Sequence, residues 1–246
     1  MPEKMTAVLA GTTQRAPYCP QKSTHTKARE PVRRTAGRVV GRYPSFKNNR
    51  MVSWESQLEH KACVLFEFSA AVLAYREQPE TIRFWHQDKW CRYTPDFCIE
   101  TFGGRMTYIE VKPEKYLADA TFLSRLQDIS AALAAEKISF GVLTDKELTN
   151  TALQLNLKIL RQPLRLQLST QTVRAATEYL AIHEDVDVGE LAEVLGDINL
   201  VYSLIAQQYL KADLSKGLCR NSTISLMEDE DYESFLFTCR YAPDFV

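Results

Sequence analysis

The feature that most limits what this chain can fold into is a glycine pair, Gly103-Gly104, between two strand-like runs at residues 92–100 and 106–112. Glycine accepts the positive φ angles of tight reversals, so the pair predicts a hairpin that lays the two runs side by side. A helix is expected over residues 54–71, capped by Ser53, because Leu58, Ala62, Leu65 and Phe66 recur at helical spacing. Strands are expected at 72–75 and 82–85, an amphipathic helix at 117–135, and a buried strand in the apolar run 138–143. Helix, antiparallel strands, helix, strand defines an α/β core.

At 246 residues and 45% hydrophobic content the chain can bury a substantial core and hold two domains. Its formal net charge of -1 hides a gradient: residues 1–50 carry eleven basic and two acidic side chains, whereas 171–246 carry five and fourteen. The N-terminal end suits phosphate and the C-terminal end does not. We expect a flexible basic arm over 1–36, a first domain over 37–165 and a second over 166–246. Just past the arm, Arg38, Arg42, Lys47 and Arg50 are interleaved with Tyr43 and Phe46, a mixture suited to contacting DNA phosphates. No run approaches the roughly 18 apolar residues of a membrane-spanning helix, and the N-terminus lacks the apolar core of a signal peptide. The expected setting is the cytoplasm, without a membrane partner. The six cysteines form no C-x-x-C pair and read as reduced packing residues.

The chemistry is concentrated in Thr94-Pro95-Asp96-Phe97, the hairpin, and Ile109-Glu110-Val111-Lys112. Side chains alternate along a strand, so Glu110 and Lys112 share one face while Ile109 and Val111 take the other. Asp96, on the preceding run, would then lie beside Glu110. Carboxylates held together need a cation, and hard oxygen donors suit Mg2+, with Mn2+ as a substitute; the Val111 carbonyl could add a further ligand. Such an ion would orient water and stabilise charge on a phosphodiester, with Lys112 near the nucleophile. The bland alternative is a cross-strand ion pair worth well under ~1 kcal/mol.

Other chemistries find less support. His60 and His86 read as surface or packing residues, Ser45, Ser56 and Ser203 lack a Gly-x-Ser-x-Gly setting, and no phosphate-binding G-x-x-x-x-G-K-[ST] loop is present. Trp54, Trp85 and Trp90 are assigned to core or rim packing. The second Pro-Asp-Phe, at residues 243–245, is set aside as coincidence.

Taken together, Gly41-Arg42-Tyr43-Pro44-Ser45-Phe46-Lys47, Trp54-Glu55-Ser56-Gln57-Leu58-Glu59, Tyr75-Arg76-Glu77-Gln78-Pro79, Tyr93-Thr94-Pro95-Asp96-Phe97, Ile109-Glu110-Val111-Lys112-Pro113 and Leu143-Thr144-Asp145-Lys146-Glu147 resemble TnsA-type endonuclease subunits of heteromeric transposases, within the PD-(D/E)xK nucleases. The resemblance implies a restriction-endonuclease-like mixed sheet flanked by helices and a metal-dependent nuclease cutting one strand, the non-transferred one, at transposon ends. It adds Glu59 to the catalytic and metal-binding set of Asp96, Glu110 and Lys112, although some family members carry Gln in the place of Glu110. It also implies double-stranded DNA and a DDE-type, TnsB-like transposase as partners. Helices over 172–182, 188–195 and 198–209, followed by strands at 212–214 and 223–226, suggest a C-terminal winged helix with an acidic tail over 228–233. Because residues 197–209 carry no basic side chain, a protein partner is easier to defend than duplex DNA there. The resemblance points to an AAA+, TnsC-like ATPase. A stand-alone restriction-like or repair nuclease and an inactive nuclease scaffold remain as alternatives.

Overall fold

The computed structural model describes residues 39–101, 103–241 and 245. The expected arm over 1–36 and the candidate Arg38 lie outside the described residues. Two compact units emerge, divided near residues 151 and 228.

The larger unit opens with a hairpin of β1 (Gly41–Ser45) and β2 (Arg50–Trp54), followed by helix α1 (Gln57–Phe68) and strand β3 (Val72–Glu77). The helix begins later than its sequence suggested. Residues 50–54 are drawn into pairing with 41–45, so Ser56 rather than Ser53 caps α1. Strands β4 (Ile82–His86) and β5 (Lys89–Tyr93) form a second hairpin, turned by Gln87 and Asp88 at φ 48 and 55. The single run expected over 92–100 is therefore broken at residues 94–96, ahead of β6 (Phe97–Thr101) and β7 (Met106–Val111). Gly104, at φ 72, supplies the left-handed residue of the β6–β7 turn. A 3-10 turn over Glu114–Ala118 precedes α2 (Ala120–Ala135), capped by the Asp119 carboxylate, then β8 (Ser139–Leu143) and the one-turn helix α3 (Asp145–Leu148).

β8, β7, β6 and β3 pair in that order, and the C-terminal strand Arg240–Tyr241 adds to the outer side of β8. Only β7 and β8 run parallel, which makes a five-stranded mixed sheet. Both faces are covered. On one, Phe66 of α1 meets Phe97 and Tyr75 at ring separations of 5.4 and 5.5 Å. On the other, Phe84, Leu126, Ile129, Cys98, Tyr108 and Phe140 form a continuous core, and each fully buried Leu, Ile or Phe contributes roughly 1.5–3 kcal/mol. The C-terminal strand needs Gly141, because a Cβ there would stand 3.2 Å from Cys239 Cβ. Phe245, set aside in the sequence as part of a coincidental motif, is fully buried against Phe140. The segment read as an acidic tail forms a 3-10 turn over Asp229–Glu233 with Tyr232 buried.

The smaller unit contains α4 (Thr151–Leu160), α5 (Thr170–Ile182), α6 (Val188–Leu195) and α7 (Ile198–Ala206), then antiparallel strands Leu210–Ala212 and Ile224–Leu226. Gly196, at φ 79, ends α6. The loop between the strands is tied down by buried Asn156, whose amide donates to the Leu214 and Lys216 carbonyls and accepts from Leu218 N–H. No helix among the described residues is long and apolar enough to cross a membrane.

Candidate active site

Asp96 stands in the bend immediately before β6, one residue ahead of the Phe97–Ile109 pair. That offset lets its carboxylate accept the Val111 N–H at 2.9 Å, and its own carbonyl accepts the Gln78 N–H at 2.9 Å. Glu110 is buried on β7 and accepts a short hydrogen bond from the Tyr93 hydroxyl. Lys112 continues the same strand direction, its N–H donating to the Leu143 carbonyl. Its Nζ lies 2.8 Å from Glu110 and 3.6 Å from Asp96. Asp96, Glu110 and Lys112 thus meet, fixed by backbone hydrogen bonds on both sides of the contact.

Burial and then the neighbouring Glu110 charge push the Asp96 carboxyl well above its ordinary range, with Lys112 opposing. Burial alone would lower the Lys112 ammonium, but Glu110 and Asp96 outweigh it and hold the group above its usual value. The two carboxylates beside it thus hold Lys112 in its ammonium form. Burial and the Glu110 charge also keep the Tyr93 hydroxyl protonated.

Glu59 lies in the first turn of α1. Its N–H donates to the Ser56 hydroxyl at 3.1 Å, and its carboxylate accepts the Glu55 N–H at 2.7 Å, an arrangement close to a capping box. Burial raises its pKa, hydrogen bonds from Glu55 and Ser56 oppose that, and the Lys112 charge is felt. The four residues share one electrostatic environment, but Glu59 does not join the contact. Among the described residues no group of three or more His, Cys, Asp or Glu side chains is gathered closely enough to hold a metal ion. The structure brings together two acids and a lysine where the sequence led us to expect three acids.

The candidate DNA-contacting cations behave differently from one another. Arg42 is exposed. Lys47 is buried, its Nζ donating to the Ser69 and Val72 carbonyls at 2.5 and 2.6 Å, so it is turned inward, away from any phosphate, and the expectation is corrected for it. Beside it, Glu67 is 1% exposed. Its carboxylate accepts from Ser45 Oγ, Phe46 N, Lys47 N and Tyr75 Oη within 2.9 Å. Arg50 clasps buried Glu77 through two hydrogen bonds of 3.1 and 2.6 Å. These residues anchor the first hairpin to α1 and β3.

His86 pairs with Asp128 at 2.7 Å and His60 packs on Trp54, in keeping with structural roles. Trp85 and Trp90, assigned to packing, are 51% and 61% exposed. Sequence reasoning missed Tyr93 and Gln78. Tyr93 lies three residues before Asp96, and the signal that could have found it is that residue 93 ends β5 while 96 immediately precedes β6, so a chain reversal folds the hydroxyl back onto the site. Gln78 adopts φ 44, and its side-chain amide donates to Glu55 at 2.8 Å.

The oxygen donors of Asp96 and Glu110 are of the hard kind that Mg2+ or Mn2+ accepts, and a cation would relieve the burial and Glu110 charge that hold the Asp96 carboxyl up. A five-stranded mixed sheet flanked by helices fits a restriction-endonuclease-like fold, and Asp96, Glu110 and Lys112 meet upon it. Residues 69–145 match the family model described as TnsA-like endonuclease N terminal, which supports a TnsA-type endonuclease. The matched stretch runs from the end of α1 to the start of α3, so it includes Asp96, Glu110 and Lys112 and stops short of Glu59. No individual curated protein matches the chain.

Proposed function

We propose that this chain is the nuclease subunit of a heteromeric transposase, hydrolysing one strand of double-stranded DNA at each transposon end. The observation that carries this reading is the contact of Lys112 with Glu110 and Asp96, 2.8 and 3.6 Å away, inside a stretch matching the TnsA-like endonuclease model. In this reading Asp96 and Glu110 hold a divalent cation, Mg2+ or Mn2+, together with the Val111 carbonyl, and Glu59 supports them from α1. When bound, that ion supplies a Lewis acid for the scissile phosphate and a more acidic water. The chain's own residues do the rest. The Val111 N–H fixes the Asp96 carboxylate, Tyr93 orients Glu110, and the Lys112 ammonium stabilises negative charge developing on the phosphoryl oxygens.

The resemblance to TnsA-type subunits supports cleavage of the non-transferred strand beside a DDE-type transposase. It also supports docking to an AAA+ ATPase of a winged-helix-like second domain, expected over 166–246, although residues 229–246 group with the larger unit. The acidic balance of that region favours a protein partner over DNA.

A second reading, an inactive scaffold, draws support from the absence of a three-ligand metal cluster among the described residues. Strand-specific end labelling in the assembled reaction, with transposase, ATPase and Mg2+, separates the two. Asp96→Ala and Lys112→Ala should assemble normally yet lose at least about 10²-fold of single-strand cleavage. Unchanged cleavage in these variants would reject the nuclease role.

A further inference from the structure

The β4–β5 hairpin has two faces of opposite character. Inward, Phe84 enters the core with Ile82, Cys91 and Tyr93 packed against it, and His86 bonds Asp128 of α2. That face is anchored. Outward, alternation presents Arg83 and Trp85 on β4 opposite Arg92 and Trp90 on β5, and all four are exposed. The indoles meet edge-on at 5.5 Å between ring centres, and the Arg83 guanidinium lies 5.4 Å from the Trp90 ring.

Folding of the hairpin accounts for only part of this arrangement, since the cross-strand indole pair and the Arg83 contact each add no more than about 1 kcal/mol. Like charges directly opposite on neighbouring strands are destabilising, yet Arg83 faces Arg92. Among the described residues neither guanidinium has a carboxylate partner. Two tryptophans half or more exposed are likewise unfavourable in water. Paired cations interleaved with open aromatic faces match a polyanion that also offers flat rings, and a nucleic acid strand has both. The location agrees. Arg92 is four residues before Asp96, so the two α-carbons are at most about 14 Å apart, or roughly four base-pair steps of DNA.

We propose that the outer face of the β4–β5 hairpin grips a locally unpaired DNA strand beside the scissile phosphate, Trp85 and Trp90 stacking on bases while Arg83 and Arg92 hold phosphates. The proposal rests on the nuclease reading of Asp96, Glu110 and Lys112 and extends it to the form of the substrate.

The test uses the full chain and fluorescence anisotropy with one oligonucleotide pair, fully duplex or ending in an unpaired fork, at several salt concentrations. Wild type should prefer the fork. Trp85→Ala/Trp90→Ala should weaken fork binding about fivefold or more and leave duplex binding nearly unchanged, whereas Trp85→Phe/Trp90→Phe should retain the preference. Arg83→Ala/Arg92→Ala should weaken both forms and lower the salt slope by about 1–2. The replaced side chains are exposed and lose only their contacts with one another, so melting temperatures should fall by no more than about 2–6 °C. Equal binding of fork and duplex by wild type, or unchanged fork binding by the double tryptophan variant, overturns the proposal. So does unaltered DNA binding with lost co-assembly, which would make the face a protein-docking surface. Strand cleavage by wild type and by Asp96→Ala is measured alongside. Cleavage that depends on Asp96, together with unaltered fork binding by the hairpin variants, would remove the hairpin proposal alone, and cleavage indifferent to Asp96 would remove the nuclease reading itself.

Discussion

Replacing Arg50 with Met decides whether the basic segment after the arm contacts DNA or holds the fold. Arg50 gives Glu77 two hydrogen bonds, and the Ser53 N–H gives a third at 3.0 Å. The Glu77 side chain is 3% exposed and that of Arg50 is 18%. Removing the guanidinium leaves a buried carboxylate without its charged partner, and breaking a buried pair from one side costs about 3–5 kcal/mol. Allowing for the partial exposure of Arg50, we take the lower end, about 3 kcal/mol, which for a protein of this size lowers Tm by roughly 6–12 °C. Scanning calorimetry at pH 7 should record that drop. Arg50→Met/Glu77→Leu should regain at least about 1.5 kcal/mol, because the unpaired charge is gone. The pH dependence follows. Burial would raise the Glu77 carboxyl, but Arg50 and the Ser53 N–H outweigh it and hold the carboxyl below its ordinary range. A depressed carboxyl contributes stability that is present above its unfolded pKa and is lost as pH falls through the folded value. Wild type and Arg50→Met should therefore converge in strong acid. An Arg50→Met protein melting within 2 °C of wild type, or a double variant no more stable than the single one, would refute the reasoning.

Three further outcomes are expected. Lys47→Met should cost about 2–3 kcal/mol in urea unfolding, since the Ser69 and Val72 carbonyls lose their donor, while the salt slope of DNA binding stays the same. Burial holds the Lys47 ammonium down to about 7 against the pull of Glu67, so between pH 7 and 10 the unfolded chain binds more protons; wild-type stability should climb over that window and the Met variant should lack that rise. Phe245→Ala should cost about 3–5 kcal/mol by calorimetry, because a fully buried ring on Phe140 is removed; a loss under 1 kcal/mol would mean that the C-terminus does not belong to the core. Tyr93→Phe removes the hydroxyl that orients Glu110, and single-strand cleavage in the assembled reaction should slow by about tenfold or more, the equivalent of one hydrogen bond to a charged group.

Local patterns carried the sheet because their causes are local. Alternation and Gly103-Gly104 place Glu110 and Lys112 on one face of β7, and the one-residue offset of Asp96 follows from Pro95 ending the β5 run before β6 begins. What the pattern misassigned depends on distant partners. Lys47 and Arg50 look like a phosphate-binding surface until Glu67 and Glu77, some twenty or more residues later, enter the same interior. A buried carboxylate is not visible as such in sequence, since Glu67 lies on a helix whose periodicity allows either face. Trp85 and Trp90 were misread for the opposite reason. Their alternation with Phe84 is clear, but only the packing of Phe84 on α2 tells which face of the hairpin is inside.

The same distinction bears on Glu59, which the matched family stretch does not reach. As a first-turn residue it has structural work of its own, because its carboxylate accepts the Glu55 N–H and steadies the start of α1. That role does not compete with a catalytic one. Held by the Glu55 N–H, the Glu59 carboxyl stays near enough to Lys112 and Asp96 for their charges to be felt. Two carboxylates on the sheet and one on α1 are set against a single ammonium, and burial together with the Glu110 charge holds the Asp96 carboxyl toward its protonated form. The proposed divalent cation would take the place of that proton among the carboxylates, so its loading should be weaker in acid than at neutral pH.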